Sequence, residues 1–278
     1  MKPISKAIIY DSSCPMCQTY TKGFVKWGIL APEHRISFCE LEPDQAQRYM
    51  DLTRSKHEIP LVDLSGGKTL YGIEALSYLL SQRLPFIQTF LSCKPIRWFC
   101  QKLYSFISYN RRVITATVSE NKGIDCKPDF HLSYRLLFII FGVLIASLIT
   151  WKLGISTSAY SSSLSGYSML LICGSGWLVQ MITAIVILKG QERIEYLGQL
   201  ATLMLIGTLV LLPGLWIDTL THHSSVFWLA GSVLVSSLLM HTEHLRRLRY
   251  LNLSIYWLFL WSVALFSTAL SELWIFIR

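Results

Sequence analysis

The sequence predicts two regions of different fold class: an α/β domain of order βαβαββα with a further carboxyl-terminal helix, then an all-α bundle of about five membrane-spanning helices. Three observations predict this. The chain of 278 residues is 52% hydrophobic and only 15% charged, which is more apolar than an ordinary globular domain. Its charge is uneven, with 17 Lys/Arg and 12 Asp/Glu up to His131 against 8 and 5 beyond it. Short β-rich runs and amphipathic helical segments fill the first part, and long apolar stretches fill the second.

In the first part, residues 1–112, "KAIIYD" is a β-rich run ending in Asp11. A helix is expected from Cys17 to about Trp27, a second strand in "RISFCEL", and a helix from Pro43 to Leu52 opened by Pro43 and Asp44. A third strand follows in "IPLVDL", a turn in "SGGK" and a fourth strand in "TLYG". The segment "IEALSYLLSQRL" reads as a helix with Ile73, Leu76, Leu79 and Leu80 on one face. This order is thioredoxin-like: a βαβ unit, a linking helix, then a hairpin and a helix.

Between the first strand and its helix stand Cys14 and Cys17, spaced C-x-x-C in "YDSSCPMC". A cysteine at a helix amino terminus faces unpaired backbone N–H groups and the positive end of the helix dipole, both of which favour thiolate over thiol. Cys14 is therefore the expected nucleophile and Cys17, one turn inside, the resolving cysteine. A zinc half-site or two buried thiols are the other readings of such a pair. The first part has no second C-x-x-C or C-x-x-H to complete a zinc site. Asp11 reads equally as a carboxylate that moves a proton for Cys17 or tunes its pKa, and as a cap of the strand-to-helix turn.

The motif "YDSSCPMC", with Tyr10, Asp11, Cys14, Pro15 and Cys17, resembles that of the DCC family of thiol-disulfide oxidoreductases, a thioredoxin-like group. "LYGIEALSYLL" resembles its glycine-led final helix, and "LYSFISYNRR" its terminal aromatic and arginine-bearing helix. The resemblance covers roughly residues 6–112 and implies thiol-disulfide exchange with no cofactor beyond the cysteines and no bound metal. Ser12 stands where the family usually has glycine, so it must find an allowed conformation or accept strain. The thioredoxin-like order also implies a cis peptide bond at Ile59–Pro60, leaving the Ile59 backbone free to pair with an extended substrate; a trans proline at a strand entry is the alternative. Of the other cysteines, Cys39 reads as a core thiol, Cys93 and Cys100 lie too far apart along a helix to bond each other, and Cys126 reads as incidental or as a relay thiol.

Residues 113–131 form a basic linker, and five stretches in 132–278 are expected to span a bilayer, at about 136–153, 166–188, 196–217, 225–240 and 253–277. Basic residues precede the first stretch (Arg111, Arg112, Lys122, Lys127, Arg135) and follow the second (Lys189, Arg193) and fourth (Arg246, Arg247, Arg249). The loops "GISTSAYSSSLS" and "DTLTHHSS" have neither Lys nor Arg. Alternate basic loops place the amino terminus in the cytoplasm and the carboxyl terminus outside, in a bacterial-type cytoplasmic membrane. The short apolar run Ala7–Tyr10 is too brief for a signal peptide, which agrees with that placement. The net charge of +8 is read as orientation rather than nucleic-acid binding.

Within the spans, Gln180 reads as an interhelical hydrogen-bonding residue or as part of a ligand pocket. His241 and His244 at i, i+3 are a weak metal signal without further ligands. The expected whole is a membrane-tethered thiol-disulfide oxidoreductase acting on a protein or small-thiol partner. A redox-gated transporter or sensor, and a metal-handling protein with Cys14 and Cys17 as ligands, are the alternatives; Met16 between the cysteines would offer a soft thioether to copper.

Overall fold

The computed structural model describes residues 6–117, 127–161, 164–222 and 226–277. The chain divides into two compact units, Met1–Tyr134 and Arg135–Arg278.

The first unit is built on a four-stranded mixed sheet. Strand β1 (Lys6–Tyr10) lies inside it, parallel to β2 (Arg35–Ser37) and antiparallel to β3 (Pro60–Asp63), which pairs antiparallel with β4 (Leu70–Tyr71). The spatial order is β2-β1-β3-β4. Ala7 to Tyr10 are all buried because both faces of the sheet are covered. Side chains alternate between two cores, as a period of two requires. Ile8, Tyr10 and Leu61 meet Phe24 of α1 (Pro15–Lys26) and Ala75 and Leu79 of α4 (Gly72–Ser81). Ile9 and Val62 meet Phe38, Met50 and Ala46 of α2 (Pro43–Tyr49) on the other side.

Two predicted elements are shorter than expected. The second strand ends at Ser37, whose hydroxyl accepts from the Cys39 N–H and turns Phe38–Glu40 into a 3₁₀ turn. The helix expected from Pro43 to Leu52 breaks after Tyr49, and a short α3 (Leu52–Ser55) restarts with Asp51 as its cap. After α4 the chain forms α5 (Phe86–Ser92) and then the long α6 (Lys94–Thr115), which packs against α4, α5 and α1.

Gly72, at the β4–α4 junction, has φ +55° and donates its N–H to the Ile59 carbonyl at 3.0 Å. A Cβ there would stand 3.2 Å from the Tyr104 ring and 3.3 Å from the Glu58 side chain. Backbone conformation and crowding both call for glycine at this position.

The second unit is helical: α7 (Leu132–Thr157), α8 (Gly166–Ile187), α9 (Gly190–Leu220), α10 (Phe227–Tyr250) and α11 (Tyr256–Ile277). Among the described residues three of these, α7, α8 and α9, are long and apolar enough to cross a membrane, and Tyr256–Ser267 is a shorter apolar stretch. The expected fourth span belongs to a helix that does not qualify. Its apolar run stops at Met240, and His241, Glu243, Arg246, Arg247 and Arg249 continue the same helix.

Candidate functional site

The site begins where β1 ends. Asp11 Oδ1 accepts from the Ser13 N–H at 3.0 Å and the Ser13 hydroxyl at 2.6 Å, and its carbonyl accepts from the Cys14 N–H at 3.2 Å. This side-chain-to-backbone turn reverses the chain out of the sheet and into α1. Cys14 is the N-cap residue of α1, with extended backbone, and Pro15 supplies the fixed φ suited to the first helical position. No side chain caps the first turn. Ser12 has an ordinary negative φ, so the serine in place of glycine costs no strain; its carbonyl accepts from Gln18 Nε2 at 2.5 Å.

Cys14 and Cys17 are both free thiols and both buried. The Cys17 thiol donates to Cys14, which draws the Cys14 pKa down to about 6 against the opposing effect of burial; the Arg111 charge lowers it further and the Asp11 charge raises it. The same hydrogen bond, reinforced by burial, pushes Cys17 well above the usual thiol range. The pair is thus split into one acidic and one reluctant thiol. The Tyr20 hydroxyl donates to Cys17 Sγ at 3.6 Å.

The far wall comes from α6. Arg112 reaches Asp11 Oδ2 at 2.9 Å and the Ser13 hydroxyl at 3.1 Å, and also donates to the Thr117 carbonyl at 3.0 Å. Arg111 lies 3.7 Å from the same carboxylate oxygen. All three of these charged side chains are buried. A buried carboxylate between two guanidiniums is compensated by their charge and by the hydrogen bonds it accepts. This is the setting of Asp11: it caps the turn and it fixes the end of α6.

Ile59 and Pro60 stand beside these groups but differently from the expectation. All peptide bonds among the described residues are trans, Ile59–Pro60 included. Pro60 opens β3, where its missing N–H costs no ladder bond. The Ile59 backbone is already engaged on both sides, its N–H donating to the Tyr104 hydroxyl at 2.9 Å and its carbonyl accepting from Gly72. An extended substrate would have to displace those partners. Burial raises the Tyr104 pKa to about 12, so its hydroxyl stays protonated as it accepts from Ile59.

Cys39 is not a core thiol. The 3₁₀ turn after Ser37 carries it to the surface, with Sγ 3.0 Å from the Ser12 hydroxyl. Cys93 precedes α6 and is exposed, Cys100 lies in α6 half-buried, and Cys126 lies outside the described residues. In the sequence Tyr20 and Tyr104 have no part beside the cysteines, and Arg111 and Arg112 stand there only as orienting charges before the first span and as the end of the aromatic, arginine-bearing helix. The available signal was two adjacent arginines closing an otherwise apolar-faced helix, with nothing local to say that Asp11 would receive them.

In the second unit Gln180 donates to the Tyr196 hydroxyl at 2.5 Å and to the Trp257 carbonyl at 3.3 Å, so it binds helices together. His244 Nε2 lies 3.1 Å from the Tyr196 hydroxyl, whereas His241 faces Ser262, so the two imidazoles serve different partners. Among the described residues no three His, Cys, Asp or Glu side chains are placed to share a metal ion.

Residues 8–117 match the family described as DCC1-like thiol-disulfide oxidoreductase. The resemblance read from the cysteine motif therefore holds over that segment. Comparison with curated proteins and with solved structures returned no match.

Proposed function

We propose, with the family match of residues 8–117 as the premise, that this chain is a membrane-tethered thiol-disulfide oxidoreductase whose working pair is Cys14 and Cys17. The observation that carries the proposal is the asymmetry of the pair at the start of α1, with Cys14 acidified and Cys17 held protonated by one hydrogen bond. The sheet order β2-β1-β3-β4, with β3 antiparallel to its neighbours, supports a thioredoxin-like classification of the first unit. The three long apolar helices are compatible with integration into a membrane.

The chemistry follows from the split. Cys14 thiolate attacks one sulfur of a partner's disulfide, expelling the other as a thiolate that takes up a proton. Cys17 then loses its proton and attacks Cys14 Sγ, closing the Cys14–Cys17 disulfide and releasing the second partner thiol. Two electrons pass from the dithiol to the partner, and the reverse sequence oxidises a partner dithiol. Arg111 stabilises the thiolate at each stage, since its charge lowers the pKa of both sulfurs. Cys14 is 0% and Cys17 6% exposed, so Cys14 is not the more exposed sulfur, and a partner of either kind, small thiol or protein, reaches it only when the site opens. The alternation of basic and uncharged loops supports a cytoplasmic first unit, an arrangement that favours reduction of the partner.

The full chain in detergent, equilibrated with defined ratios of reduced and oxidised glutathione and then alkylated, tests this by peptide mass. The expected result is a reversible two-electron couple confined to Cys14 and Cys17, with Cys14 alkylated first. No couple, or stoichiometric zinc or copper on the purified chain that is lost in Cys14→Ser, overturns the proposal.

A further inference from the structure

The segment from Arg83 to Arg112 contains six Lys/Arg and no Asp or Glu. It forms α5 and α6, and these helices leave an apolar face uncovered. Phe86 and Phe90 of α5 are 65% and 55% exposed, and Trp98, Phe99 and Leu103 of α6 are 61%, 60% and 45% exposed. On α6, Phe99, Leu103 and Ile107 follow i, i+4, i+8 spacing along one side, and the exposed Trp98 stands beside Phe99 about 100° round the helix. The opposite side carries Tyr104 and Arg111 towards the cysteines. Lys94 and Lys102 of α6 are exposed, while Arg83 directs its guanidinium at Gly28 and Arg97 is paired with Glu74 at 2.5 Å.

We propose that this face of α5 and α6 lies in the surface of an anionic phospholipid leaflet. The segment has the make-up of an interfacial helix: aromatic and aliphatic side chains on one side, cations at the margins, and too many charges to cross a bilayer. Cations without acidic neighbours match the negative surface potential of anionic lipid. The occupant is also close at hand, because α7, long and apolar enough to cross a membrane, begins at Leu132 of the same chain. Tethering converts a weak surface affinity into an intramolecular one. The consequence reaches the proposed redox site, since the helix that would rest on lipid is the helix that supplies Tyr104, Arg111 and Arg112. The inference rests on the membrane-tethered reading and adds a second, peripheral contact to it.

The test uses the full chain in nanodiscs, with an environment-sensitive fluorophore carried by Phe99→Cys or, on the opposite side of α6, by Gln101→Cys, in a background without the native cysteines. Lipids bearing a nitroxide near the headgroup act as the quencher. Quenching of the Phe99 position at least about twofold stronger than of the Gln101 position is expected when phosphatidylglycerol is present. The difference should shrink in pure phosphatidylcholine and in Lys94→Glu with Lys102→Glu. Equal quenching at both positions, or a Phe99 position that crosslinks to a second copy and escapes the quencher, overturns the inference. Retention of the chain in vesicles after an alkaline wash reads the tether separately, so failure of the surface contact and failure of membrane integration are distinguishable.

Discussion

Cys14 and Cys17 differ in acidity chiefly through the hydrogen bond between them, with smaller effects from Asp11 at the end of β1, Tyr20 on α1 and Arg111 on α6. Arg111 and Asp11 act on Cys14 with opposite sign, which makes their roles separable. Arg111→Met should raise the pH midpoint of Cys14 alkylation by about one unit, and Asp11→Asn should lower it. Arg111→Lys, which keeps the charge, should stay near the parent. If Asp11 instead moves a proton for Cys17, Asp11→Asn will leave the Cys14 midpoint in place and slow the release of mixed disulfide. Stability carries the same signature. The Cys14 pKa is depressed to about 6 in the folded chain, whereas a free thiol lies near about 8.5. Between those values the unfolded chain binds more protons, so the reduced protein should gain stability as pH rises through that window, by at most about 1.4 kcal/mol per unit. The gain should be lost as pH falls to 6. Cys17, shifted upward, opposes this only above the ordinary thiol range. Thermal unfolding of the reduced first unit, followed by proteolysis of the detergent-solubilised chain, reads the slope; a flat profile in the parent would sink the assignment. That Asp11, Cys14 and Cys17 stand together was legible in the sequence because they lie within one short segment, "DSSCPMC". Arg112 was not, because its partner Asp11 lies about a hundred positions away and no local pattern records that contact.

At the scale of elements, the strands and helices of the first unit could be read from period and punctuation, since Pro43 and the "SGGK" turn mark real boundaries, although α1 begins at Pro15 rather than at Cys17. The losses fall where a side chain competes with the backbone. Ser37 takes the Cys39 N–H and ends β2, and Asp51 captures the Arg54 N–H and starts α3. The packing of α6 onto the site was illegible for another reason: an amphipathic helix advertises a buried face but not its address. Gly72 joins the two levels. It accepts a left-handed φ, bonds Ile59 and leaves room for Tyr104. Gly72→Ala should combine backbone strain with a shift of the Tyr104 ring, costing roughly 1–3 kcal/mol. The displacement should loosen the hydroxyl from the Ile59 N–H and speed hydrogen exchange at Ile59 relative to the centre of β1. Unchanged stability together with unchanged exchange at Ile59 would show that the junction tolerates a side chain and that Tyr104 is not held by it.

For the whole molecule, the division between a mixed α/β unit and a helical unit follows from where the charged residues lie, and the loops carry an expectation for orientation. Helices α7, α8 and α9 extend about 39, 33 and 46 Å at 1.5 Å per residue, against a hydrocarbon core of about 30 Å. The loop after α7 lacks Lys and Arg, and the turn between α8 and α9 carries Lys189 and Arg193. If the positive-inside rule governs, the first unit and the α8–α9 turn share the cytoplasmic side, and residue 158 lies outside. Ser158 and Gln191 are both exposed and suit a direct reading. In cells expressing a chain without native cysteines, a membrane-impermeant maleimide should label Ser158→Cys in intact cells and Gln191→Cys only after lysis. The distinction matters for chemistry as well as geometry, because a reducing cytoplasm regenerates a dithiol that reduces partners, whereas an oxidising exterior would hold Cys14 and Cys17 as a disulfide. Labelling in the reverse order would therefore overturn the orientation and, with it, the direction of electron flow assigned to the pair.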